Sequence, residues 1–176
     1  TKTVTITDAD GVAIDATDLS TIGALTAGTV TVTNAIVISG TESQVTDALV
    51  TDASKVVVSD AVVTISDVDT TNLEVTDLSA IGALTSGIVT VSNAVVLTGT
   101  QAELEAALIT DDTKVVATSA NVTVEDAASI AELTAIDAVI ATMSYSTVAD
   151  VTANAVTNAG TYIAGTKTVT ITDVDG

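Results

Sequence analysis

Along much of this chain β-branched apolar residues alternate with hydroxyl residues, as in Val30-Thr31-Val32-Thr33, Val62-Val63-Thr64-Ile65, Val89-Thr90-Val91-Ser92 and Val169-Thr170-Ile171-Thr172. A two-residue period carried by such side chains predicts strands. Between them the period lengthens. Val45, Ala48 and Leu49, then Leu104, Ala107 and Leu108, then Leu133, Ile136 and Ala138 fall at helical spacing. Each set follows a hydroxyl residue with Gln or Glu three positions on: Thr41 and Gln44, Thr100 and Glu103, Ser129 and Glu132. This is a capping box, in which the hydroxyl accepts from an early backbone N–H and the longer side chain reaches back to the cap residue. Leu19-Ile22-Leu25 and Leu78-Ile81-Leu84 predict two further short helices, each entered through a Thr-Asp able to cap it.

These patterns repeat on two scales. Thr17 to Thr41 matches Thr76 to Thr100 at 18 of 25 positions, an offset of 59 residues. The register extends outward, since Lys55-Val56-Val57 maps onto Lys114-Val115-Val116. Likewise Thr64-Ile65-Ser66-Asp67 maps onto both Thr5-Ile6-Thr7-Asp8 and Thr123-Val124-Glu125-Asp126. On the larger scale Thr1 to Gly11 (TKTVTITDADG) returns as Thr166 to Gly176 (TKTVTITDVDG), ten of eleven residues identical at an offset of 165. The chain therefore reads as one period of a longer tandem array. Residues 1–165 form the period, with sub-units at about 3–61, 62–120 and 121–165, and residues 166–176 begin the next.

The strands recur after about 26 and then 33 residues, counted from Asn34 to Asp60 to Asn93. That spacing predicts a mainly β fold with short helices: an elongated, β-solenoid-like repeat with one bent strand and one helical turn per coil. Five or six coils at the usual strand spacing would rise on the order of 25 to 30 Å per period. Tandem β-sandwich modules are the alternative, and would bring more strands, closer turns and usually a large aromatic core residue. Residues 127–165 depart from the rhythm. After a helix expected around Ile130 to Ala141, Met143 to Gly165 holds the only Met and both tyrosines, as a widened coil or an interaction patch.

Composition sets the kind of core and the kind of partner. The chain has 23 acidic and 4 basic residues, a net charge of −19, yet is 47% hydrophobic, so it should fold. Phe, Trp, Pro, Cys and His are absent, which leaves Val, Ile, Leu, Ala and Thr to build a narrow interior. The acidity argues against nucleic acid and anionic lipid. No apolar run reaches the length of a membrane span, so neither nucleic acid nor membrane insertion is expected. Divalent cations and copies of itself, or adjacent repeats of the same chain, are the expected partners.

Three residue sets could carry chemistry. Asp8-Ala9-Asp10-Gly11 recurs as Asp67-Val68-Asp69 and as Asp173-Val174-Asp175-Gly176. Carboxylates alternating around a tight turn suit hard oxygen-seeking ions, so Asp8, Asp10, Asp67, Asp69, Asp173 and Asp175 are candidate ligands and calcium the candidate cofactor. The competing reading is a solvated acidic turn whose Asp side chains hold backbone N–H groups. Lys2, Lys55, Lys114 and Lys167 each stand just before a strand, placed by the repeat as edge protection or as partners of the acidic turns. Thr-x-Thr runs at Thr3 to Thr7, Thr29 to Thr33 and Thr168 to Thr172 could form a hydroxyl ladder, although the neighbouring segments offer Val56-Val57-Val58 and Val115-Val116-Ala117. Catalysis is not expected: there is no His, Cys or Arg and no Gly-rich phosphate loop, and a hydroxyl without a positioned base is a poor nucleophile.

The combination of V-T-V-x-N-A, T-G-T-x-x-x-L and T-I-T-D-x-D-G in an acidic, Cys-free chain resembles the tandem repeats of giant secreted bacterial surface proteins, the large repeat adhesins and cyanobacterial cell-surface and matrix proteins. The resemblance implies export, an extracellular or cell-surface location, calcium dependence and a scaffolding or adhesive role. The glycine-rich nonapeptide G-G-x-G-x-D of that class is absent. The function expected is a structural module of an extracellular rod, filament or surface layer. The alternative is a module that associates with itself or binds a sugar or ice surface.

Overall fold

The structure, a computed structural model, describes residues 2–110 and 114–173. Among these residues thirteen strands lie in three sheets, and every pairing is parallel. The first sheet has the order β1 (Val4–Ile6), β3 (Val30–Val32), β5 (Val56–Val57). The second runs β2 (Ala13–Asp15), β4 (Val37–Gly40), β6 (Val62–Ile65), β8 (Val89–Val91), β10 (Val115–Val116). The third runs β7 (Asn72–Glu74), β9 (Val96–Gly99), β11 (Asn121–Ala128), β12 (Thr142–Asp150), β13 (Thr168–Ile171).

Register explains the repeat. Val4 pairs with Val30 and Val30 with Val56, each 26 residues on. Ile38 pairs with Val63 and Val63 with Val89, offsets of 25 and 26. In the third sheet the step shortens to 21, as from Asn121 to Thr142 and from Thr147 to Thr168. Each return of the chain therefore lies beside the one before it. The 59-residue equivalence also moves the chain laterally, because β6 and β11, the counterparts of β1, are the central strands of the second and third sheets.

Six helices fill the connections: α1 (Ala16–Leu25), α2 (Glu42–Leu49), α3 (Val75–Gly82), α4 (Gln101–Leu108), α5 (Ile130–Asp137) and α6 (Thr152–Thr157). The first five pack one on the next. The capping boxes at Thr41, Thr100 and Ser129 form as their spacing predicts. Helices α1 and α3 start earlier than expected. Strands β2 and β7 run straight into them, so Asp15 and Glu74 take the cap position without a side-chain cap bond and Thr17-Asp18 and Thr76-Asp77 fall inside the first turn.

Helix and strand occupy 30% and 31% of the described residues, so the mainly β, β-solenoid-like expectation is corrected to a mixed α/β fold. The sheets are three separate ladders accompanied by stacked helices, and no closed solenoid forms. Helices take this share because Ala and Leu at helical spacing, with capping boxes at the starts of α2, α4 and α5, fill connections long enough for two to three turns. Tandem β-sandwich modules are excluded as well, since sandwiches are built from antiparallel strands. One core runs through the layers, lined by Leu19, Ile38, Leu78, Leu97, Leu104, Leu133 and their Val and Ala neighbours. Parallel strands buried between layers favour such β-branched residues.

A turn that recurs at the 59-residue offset shows how backbone conformation selects residues. Gly11 adopts φ +76° and Thr70, its counterpart, φ 66°. Both donate their N–H to the next return, to Ala35 O and Ala94 O at 2.9 Å. The left-handed region costs an L-residue roughly 1–2 kcal/mol, more than the chain entropy that glycine loses on folding. Thr70→Gly should therefore raise stability by about 0.5–1 kcal/mol in urea unfolding, and Gly11→Thr should lower it by a similar amount. Equal destabilisation by both changes would contradict this account.

Candidate functional site

The acidic turns lie where one return meets its neighbours, and their side chains reach in both directions. Asp67 follows β6, and its Oδ2 accepts the N–H of Glu42, the first residue of α2 in the preceding return, at 2.6 Å. Asp69, two residues on, accepts the N–H of Ala94 in the following return at 2.9 Å. Asp10 does the same with Ala35, at 3.0 Å. The Asn of the V-T-V-x-N-A motif completes the joint: Asn34 Nδ2 donates to Asp8 O at 2.6 Å and Asn93 Nδ2 to Asp67 O.

The backward Asp-to-helix bond recurs. Asp126 Oδ1 accepts from Gln101 N, the first residue of α4, at 2.7 Å. β11 shifts register between Val124 and Ala127, and Asp126 sits in that bulge. Asp150 Oδ2 accepts from Ile130 N at the start of α5 at 3.0 Å, and Asp173 accepts from the N–H and hydroxyl of Thr152 at the start of α6. Four helices thus receive a carboxylate from 20 to 25 residues later in the chain. A helix N-terminus has unpaired N–H groups and a partial positive charge, so a carboxylate there satisfies a donor and meets a favourable field together.

Of the six candidate metal ligands, Asp67 and Asp173 hold helix N-termini, while Asp10 and Asp69 hold backbone of the following return. Asp8 has the same position as Asp67, yet no hydrogen bond is made to its carboxylate among the described residues. Asp175 lies outside the described residues. Among those described, no three acidic side chains converge into a metal-holding group, and no buried side-chain polar atom lacks a partner. Asp150 is a site residue that motif reasoning misses. Its only signal is spacing, 24 residues after Asp126 and 23 before Asp173, each near a strand end.

Two of the lysines also cross between returns, through backbone carbonyls. Lys55 Nζ donates to Gly23 O at 3.3 Å and Ala53 O at 2.8 Å. Lys167 Nζ donates to Tyr145 O at 2.5 Å and stands 4.0 Å from the centre of the Tyr145 ring. Tyr145 in turn donates its hydroxyl to Tyr162 O at 2.8 Å, so the divergent segment holds itself together through both tyrosines. The Thr-x-Thr ladder stays two strands wide, since Thr5 pairs with Thr31 and Thr31 with Val57. An open groove of about 350 Å³ between α1 and the turn at Asp52–Ser54 is lined by Ser20, Thr21, Asp47 and Thr51, and the Ser20 and Thr21 hydroxyls donate to Thr17 O.

No protein-family model, curated protein or solved structure matches this chain. What the acidic turns do therefore follows from their own chemistry. Asp150 is buried and accepts from Asn154 Nδ2 at 2.9 Å, from Ile130 N and from Val151 N at 2.8 Å. The Asn154 amide first, and then the Ile130 N–H, hold its carboxyl below the usual range. Glu42 moves the other way: burial raises it, against the Thr46 hydroxyl bond, and Asp77, Asp67 and Asp47 add repulsion.

These opposite shifts have opposite consequences for stability. A depressed folded value means that the unfolded chain binds the proton first, so the Asp150 contribution is complete above the ordinary carboxylate range and is lost as pH falls through its lowered value. For Glu42 the folded state binds the proton more tightly, so its charge opposes folding at neutral pH. Asp150→Ala should cost about 2 kcal/mol at neutral pH, because it strands the buried Ile130 N–H, and Asp126→Ala about 1 kcal/mol, the loss of one exposed cap. Chemical denaturation across pH should show the Asp150→Ala penalty shrinking in acid. A penalty constant down to the lowest accessible pH would refute the carboxylate's role.

Proposed function

We propose that this chain is a structural repeat module of an extracellular rod, filament or surface layer, a spacer that carries an adhesive or matrix-forming end away from a cell. The observation that carries this reading is the return of one strand in one role. β1 and β13 come from segments ten of eleven residues identical, and six parallel pairings in three separate ladders separate them, β1–β3–β5, β6–β8–β10 and β11–β12–β13, where β5 and β6, and β10 and β11, are successive strands of one return. At about 4.8 Å per pairing, one period advances about 29 Å. Repetition then adds length and no new chemistry.

Three further features support it. The side chains that could do chemistry are used to tie successive returns. The core consists of small aliphatic residues and extends with each return. Among the described residues no helix is long and apolar enough to cross a membrane. Calcium and other divalent cations enter this reading as counter-ions to a charge of −19 that would otherwise repel itself along the array.

Chains of one, two and three periods joined in frame test it by solution scattering. The expected result is a constant increment of about 29 Å in maximum dimension for each added period. Growth that follows the cube root of mass would mean that the periods collapse on one another, and the spacer reading would fail.

A further inference from the structure

Among the described residues, β1 and β13 use opposite edges. β1 lies at the edge of its sheet and pairs there with β3, whereas β6 and β11, its 59-residue counterparts, are flanked on both sides. Among the described residues β13, its 165-residue counterpart, pairs with β12 alone. Hydrogen-bond direction shows that the two used edges are opposite. Val4 N–H donates to Thr29 O at 3.0 Å and Thr33 N–H to Ile6 O at 3.3 Å, so Val4 and Ile6 face β3. Thr172 N–H donates to Asp150 O at 3.0 Å, so Thr172, and by alternation Thr170 and Thr168, face β12. Shifted by 165, those residues are Thr7, Thr5 and Thr3, which face the open edge of β1.

We propose that β1 of one copy of this chain takes the place of β13 on β12 of a second copy, joining copies head to tail through one parallel sheet of order β7-β9-β11-β12-β1-β3-β5. In a chain of consecutive periods the same joint forms within the chain. This deepens the structural-module reading by naming its partner and its register: Thr3 opposite Thr147, Val4 opposite Val148, Thr5 opposite Ala149 and Ile6 opposite Asp150.

Side chains beyond the ladder agree with the exchange. Asp173 holds the start of α6, while Asp8, its duplicate, has a carboxylate with no described partner and would hold the α6 of the other copy. Lys167 bonds Tyr145 O and covers its ring, while Lys2, its duplicate, is exposed. Val169 and Ile171 are 38% and 49% exposed at the open end, whereas Val4 and Ile6 pack against the core. A copy that replaced β13 by β1 would bring β3 and α1 with it and bury that apolar end. Open parallel edges are templates for such pairing.

Two proline variants separate the edges. Thr170→Pro removes a donor that β13 uses on β12, which frees that edge for another copy. Thr5→Pro removes a donor only from the open edge of β1, leaving the β1–β3 bonds intact. Sedimentation should show Thr170→Pro forming concentration-dependent linear oligomers and Thr5→Pro/Thr170→Pro weakening that association by about a hundredfold or more. Because the chain has no cysteine, a trap in the otherwise native chain gives a second reading that does not depend on the proline variants folding. Thr3→Cys/Thr147→Cys should oxidise to disulfide-linked dimers and ladders, and Thr3→Cys/Ala149→Cys, two residues out of register, should not.

A folded, monomeric Thr170→Pro chain, or cross-linking indifferent to register, would overturn the joint. The module reading would survive that result if the joined periods still added length in scattering, and would fall separately if they did not.

Discussion

Everything in this fold depends on parallel pairing at a nearly constant sequence distance. When Val4, Val30 and Val56 stand beside one another, every intervening segment must begin and end at the same place on the stack. The connections must also have nearly the same length and shape. Two consequences follow: sequence repeats because geometry repeats, and each return satisfies the backbone of its neighbours and little else. Parallel ladders carry only the backbone groups within strands, so the helix starts and turn amides between them need other partners.

The aspartates supply those partners. Asp67, Asp126, Asp150 and Asp173 each reach a helix N-terminus of the preceding return, and Asp10 and Asp69 hold amides of the following one. This explains how so acidic a chain stays folded. Several of its carboxylates stand where N–H groups and helix dipoles favour negative charge, which offsets part of the repulsion that a net charge of −19 creates. Glu42 shows the limit of that arrangement, since it shares the start of α2 with Asp67 and lies near Asp47 and Asp77.

Local signals were legible in the sequence and long-range ones were not. The capping boxes at Thr41, Thr100 and Ser129 involve residues three apart, and alternation in β3, β6, β8 and β13 is visible within four residues. The weight of helix is hard to read from sequence because helices of eight to ten residues between strands look minor one at a time. β12 was hidden in a segment whose Met, Ser and Tyr broke the Thr-Val rhythm, although the alternation of Thr142–Asp150 continues through it. The D-x-D turns illustrate the deeper difficulty. Their spacing matches what a hard cation asks of oxygen ligands, yet it equally lets one carboxylate point back to a helix and the other forward to a loop. The partners of the second use lie 20 to 25 residues away, visible only once the register is known.

The central claim is that the chain climbs one strand spacing per return, so that a duplicated strand reappears six pairings from its first copy. Spin labels at Thr3→Cys and Thr168→Cys, equivalent positions of β1 and β13, measure this directly when the labelled chain is diluted into unlabelled chain. The stacking predicts a single narrow distance distribution at about 29 Å or more, from six axial steps plus the lateral displacement between the first and third sheets. A markedly shorter distance, or a broad spread of distances, would contradict it.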